Sequence, residues 1–101
     1  MTADHRKAVL TFYFNHLEQR GYQPERKPDD YRFPTSVADP VPLRHAAWMC
    51  VQALGMVHAG DIEKADRWLG HIQGLLWFGQ QFTIEEERGH SRPPGREKSS
   101  V

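Results

Sequence analysis

The chain is 101 residues long, with 13 Lys+Arg against 13 Asp+Glu, 39 % apolar residues, 11 % aromatic residues and one cysteine, Cys50. That length makes one domain, not two. Zero net charge argues against a nucleic-acid or membrane-surface binder held by bulk attraction, and a lone cysteine excludes an intramolecular disulfide framework and a Cys-based zinc knuckle.

The aromatic content argues against full disorder. A chain this short buries a modest share of its surface, so support from a partner is natural. The first 20 residues are amphipathic and carry charges throughout, unlike a secretory signal. No window approaches the roughly 20 apolar residues needed to span a bilayer. A single cysteine suits a reducing compartment. The expectation is a cytoplasmic protein with no membrane contact.

The first predicted element is a helix over residues 4–20. Val9, Leu10, Tyr13, Phe14 and Leu17 fall on one arc at about 100° per residue. Phe12 lies off that stripe, needing a second neighbour or remaining exposed. Gly21 suits the left-handed stop after a helix. Residues 22–39 follow, with Pro24, Pro28 and Pro34, and Pro40 just beyond. Prolines at that density forbid a continuous helix or a central strand. Because Tyr22, Tyr31, Phe33 and Val37 are apolar enough to pack, this stretch reads as an ordered arm lying across the helices.

The second helix is predicted over 40–59, with Asp39 as cap and Pro40 and Pro42 within the first turn, where a missing N–H costs little. Its stripe is Leu43, Ala46, Ala47, Cys50, Ala53, Leu54 and Val57. The third is predicted over 62–78, capped by Asp61, with Ile62, Ala65, Trp68, Leu69, Ile72, Leu75 and Leu76 inward. Only Gly60 and Asp61 separate the two, which predicts an antiparallel helical hairpin. Thr83 and Glu86 have capping-box spacing and predict a short helix over 84–88. Its acids, Glu85 to Glu87, read as a solvated helix start. Residues 89–101 read as a disordered tail beyond a single 1–88 domain. The fold class is therefore all-α.

The faces behind the stripes carry the functional reading. Trp48, Val51 and Gly55 cluster about 130° from the main stripe of the second helix. On the third helix Gly70 and Gly74 sit one turn apart, opposite the core, flanked by Trp77 and Phe78, with Arg67 beside Gly74. Glycine inside a helix costs up to about 1 kcal/mol relative to alanine, and close approach of another backbone or a large ring is the physical return. Either the first helix or the arm fills this groove, or the face is left for a partner. Arg67 either fixes the register of that partner by pairing with an acid or pairs with Glu63 one turn away.

Other chemistry is disfavoured. The six histidines have no metal-ligand spacing. Cys50 falls in the middle of an apolar stripe, which marks a structural thiol. The third helix lacks the polar reading face that DNA recognition needs, although basic residues gather at Arg26, Lys27 and Arg32 and again from Arg88 to Lys98. No catalytic residue, cofactor or metal is expected.

The run Arg67-Trp68-Leu69-Gly70 with Gln73-Gly74-Leu75-Leu76-Trp77, preceded by His45-Ala46-Ala47-Trp48-Met49 and followed by Thr83-Ile84-Glu85-Glu86, resembles small helical proteins encoded by tailed phages and prophages. The likeness spans residues 43–92 and implies the hairpin, with little said of chemistry. In size and helical content the chain is also similar to the quorum-sensing antiactivators of pseudomonads. That resemblance implies capture of a LuxR-type transcription activator and a block of its dimerisation or DNA binding. Together these readings predict a non-enzymatic, homodimeric regulator that binds and inhibits another protein through Trp48, Val51, Gly55, Arg67, Gly70, Gly74, Trp77 and Phe78. The alternatives are a phage-type sponge or sensor for a small molecule such as a nucleotide, and a DNA-binding regulator.

Overall fold

The computed structural model describes residues 1–32, 34 and 36–92. Over these the chain forms four α-helices and no strand: α1 (Ala3–Gln19), α2 (Val41–His58), α3 (Ile62–Phe78) and α4 (Ile84–Ser91). Among the described residues no helix is long and apolar enough to cross a membrane. Arg96 and Lys98, and most of the predicted tail, lie outside the described residues.

Helix starts are set by local hydrogen bonds. Thr2 caps α1, its hydroxyl accepting from the His5 amide at 3.0 Å, which moves the start to Ala3. At α2 the cap position belongs to Pro40, not Asp39. Asp39 still organises the turn from one residue further out: one carboxylate oxygen accepts from the Val41 amide at 3.0 Å and the other from the Tyr31 hydroxyl at 2.6 Å. Asp61 holds the cap position of α3 but makes no side-chain capping bond, so its expected role is corrected. α4 has the full capping box: the Glu86 amide donates to Thr83 Oγ1 at 3.1 Å and the Thr83 amide to Glu86 Oε1 at 2.8 Å.

Helix ends follow one pattern. After α1 the Tyr22 amide bonds Leu17 O at 3.0 Å around Gly21 at φ +86°, and after α2 the Asp61 amide bonds Met56 O at 2.9 Å around Gly60 at φ +81°. After α3 the same bond runs from the Gln81 amide to Leu76 O at 2.9 Å, but the left-handed residue is Gln80 at φ +61°, not Gly79. Gly79 serves packing instead. A Cβ there would lie 2.8 Å from Leu43 Cδ2.

The core is the sum of the stripes. Val9, Leu10, Tyr13 and Leu17 of α1, Leu43, Ala46, Ala47, Cys50, Ala53 and Val57 of α2, and Ala65, Leu69, Ile72 and Leu76 of α3 are buried together, with Met49 added to the expected set. α2 packs against both α1 and α3. Small residues at Ala46, Ala47, Cys50 and Ala53 on α2 leave room for the larger Leu and Ile side chains of its neighbours. Phe14, Leu54, Ile62, Trp68 and Leu75 pack at the rim, partly buried. An ion pair ties α1 to α3, Arg6 Nε to Asp66 Oδ1 at 2.7 Å and the second guanidinium nitrogen to Oδ2 at 2.9 Å.

Residues 22–40 differ in part from the apolar packing expected of them. Tyr22 packs on the core, whereas Val37 is exposed; Phe33 lies outside the described residues. What holds this segment is polar: the Glu25 amide donates to Arg44 O at 3.1 Å and the Lys27 amide to His45 Nδ1 at 3.1 Å.

Candidate functional site

On α3 the residues opposite the core are Arg67, Gly70, Gly74 and Phe78, and all are exposed. A Cβ built at Gly70 or Gly74 meets nothing within 4 Å. Among the described residues, neither α1 nor the proline-rich segment fills the groove. Trp77, beside it, is 54 % exposed and Phe78 is 37 % exposed. Neither makes a ring–ring contact among the described residues. A shallow depression of about 330 Å³ adjoins Trp77, with Gln80, Gln81 and Phe82 on its far side. Arg67 makes no ion pair among the described residues, so of its two alternatives the bridge to Glu63 does not form.

The α2 group is divided. Val51 is 44 % exposed, and Gly55 faces open space. Trp48 is instead partly buried by its own chain. Its ring lies 5.8 Å from that of Trp68, stacks on His45 at 5.3 Å and 23°, and has the Arg26 guanidinium 6.0 Å from its centroid. Trp48 thus also supports the His45 imidazole.

A polar junction beneath α4 was not legible in the sequence. Tyr13, fully buried, bonds His90 Nδ1 at 2.8 Å and accepts from Gln73 Nε2 at 3.0 Å. Gln73 Nε2 also reaches Ser91 Oγ at 3.1 Å, and His5 Nε2 reaches the His90 carbonyl at 2.8 Å. Because the Tyr13 oxygen accepts from Gln73, its proton points to His90 Nδ1, which assigns the His90 proton to Nε2. The rings of Phe12, His16, Phe82 and His90 gather at this junction, so Phe12 has a second neighbour in Phe82 yet remains 45 % exposed. Two expectations fall here. Glu87 is 7 % exposed, not a solvated acid, and α4 continues to Ser91 because residues 89–91 are docked instead of starting a tail.

Burial dominates the electrostatics. It pushes the Tyr13 hydroxyl and the Cys50 thiol each up to about 12 and the Glu87 carboxyl up to about 7, and it lowers His90. At such a value Cys50 holds no thiolate near neutrality. Among the described residues Glu87 Oε2 has no hydrogen-bond partner. Among the described residues no three His, Cys, Asp or Glu side chains gather as a metal-binding group. Compared with known proteins, the chain matches no family model, no curated protein and no solved structure.

Proposed function

We propose that this chain is a non-enzymatic regulator that captures another protein, with the outward face of α3 as its contact surface and a helix of the partner as the occupant. On this reading α2 and α3 form an antiparallel hairpin, residues 22–39 act as an arm lying across the helices, and the working domain runs through the end of α4. The observation that carries the reading is the open space above Gly70 and Gly74 next to a Trp77 that is more than half exposed. Missing Cβ atoms let a helix approach closely, and a large exposed indole is the side chain most often found at the energetic centre of an interface. A homodimer is part of the same reading: Val51 and Gly55 are a second exposed strip that a second copy would cover.

The test is the double substitution Gly70→Ala, Gly74→Ala. Nothing obstructs the new methyl groups, so the isolated chain is expected to gain up to about 1 kcal/mol of stability per site. A close-packed partner helix would be pushed outward, and capture is expected to weaken. Partner capture from the native cell extract, with Trp77→Ala as a second variant, and light scattering for mass read this out. Unchanged capture by both variants overturns the α3 face as contact surface, and a monomer mass at high concentration overturns the dimer. The antiactivator likeness makes a LuxR-type activator the first target to try: its DNA complex is expected to dissociate when the chain is added, and an undisturbed complex removes that target.

A further inference from the structure

We propose that the cavity between Lys27, Tyr31, Arg32 and Pro34, the start of α2 and the middle of α3 binds a small organic anion with an apolar body of one ring or a short chain. This goes beyond capture of a protein and uses different residues. The cavity measures about 200 Å³, below the roughly 300 Å³ at which sites for drug-sized ligands begin, so it is too small to enclose a nucleotide. Tyr31, Pro34, Val41, Pro42 and Leu75 give it apolar walls. Lys27, Arg32, His45 and His71 complete it, and no Asp or Glu is among the described residues that line it. In a chain of zero net charge this is a local concentration of positive groups.

Neither Lys27 nor Arg32 makes an ion pair among the described residues. Of the acids in the same segment, Asp29 pairs with Arg26 at 3.3 Å, and Asp39 holds the Tyr31 hydroxyl at the cavity wall. His45 is built into the site: Trp48 stacks on its ring, and its Nδ1 accepts from the Lys27 amide, which puts the proton on Nε2 as a donor. Burial lowers His45, and electrostatic interaction with Lys27, His71 and Arg26 lowers it further. An anion placed there would meet the His45 Nε2 donor and the Lys27 and Arg32 cations, while its apolar body displaced water from the walls.

The probe is 4-phenylbutyrate, followed by methyl resonances of Val41 and Leu75. Saturable shifts at both are expected, with 4-phenylbutanol and 4-phenylbutylamine about tenfold weaker or absent. The double variant Arg32→Gln, His71→Gln, at exposed positions, is expected to weaken the acid about tenfold and leave the alcohol unchanged. Leu75→Trp, which fills the cavity, is expected to abolish both. Equal binding of acid, alcohol and amine overturns the anion half of the proposal. Equal shifts with inorganic phosphate overturn the apolar half, and no saturable shift with 4-phenylbutyrate overturns the whole.

Discussion

Replacing Glu87 by Gln removes the only buried charged side chain among the described residues. The carboxyl moves from an ordinary 4.5 to about 7 because burial disfavours its ionised form. A raised acid makes the folded state bind more protons than the unfolded one between those values. Stability from this group is therefore fully present below pH 4.5 and is lost as pH rises to about 7, after which it levels off. At 1.36 kcal/mol per pH unit the ceiling on the loss is about 3 kcal/mol. The cavity that Glu87 shares with Gln73, Arg88, Ser91 and Arg92 is open to water, which lowers the effect below that ceiling. The expected gain for Glu87→Gln at pH 8.5 is about 1–3 kcal/mol, shrinking towards zero by pH 4.5. His90 and His45 act with opposite sign: their lowered values cost stability as pH falls. Both variants share that cost, so the difference between them isolates Glu87. Urea unfolding at four pH values measures it, and amide exchange over residues 84–91 shows whether α4 loosens first. Wild type and variant running parallel from pH 4.5 to 8.5 would refute the argument.

Two further outcomes test the packing. Gly79→Ala is expected to cost about 1–3 kcal/mol in urea unfolding, because its Cβ would press on the fully buried Leu43. Gln80→Gly, which relieves the left-handed backbone, is expected to gain up to about 1 kcal/mol; equal effects at both positions would mean the roles of these neighbours are misassigned. Cys50, buried with its thiol at about 12, is expected to resist an aromatic disulfide reagent until the chain unfolds. Labelling of the native protein at the unfolded rate would show that the middle of α2 is open.

The three long helices and their inward residues were legible because each spans four or more turns. Over that length a 3.6-residue period separates cleanly from any other. The capping box at Thr83 and Glu86 was legible for a different reason: both halves of the motif lie within four residues, and the geometry is local. The outward placement of Gly70, Gly74, Trp77 and Phe78 followed from the same helical arithmetic.

Contacts between distant elements decided the rest. The sequence of α4 has too few turns for a period to show which side docks, so burial of Glu87 and His90 depended on Tyr13 and Gln73 arriving from α1 and α3. Trp48 has the same helical angle as Val51 and Gly55, yet Trp68 of α3 and Arg26 from twenty-two residues upstream reach it and do not reach them. Gly79 and Gln80 exchanged the roles local propensity would assign, because Leu43 of α2 occupies the space a Cβ would need. Local chemistry sets where a helix starts and which stripe is apolar; which of its remaining faces meet water is settled by what else the chain can bring within a few ångströms.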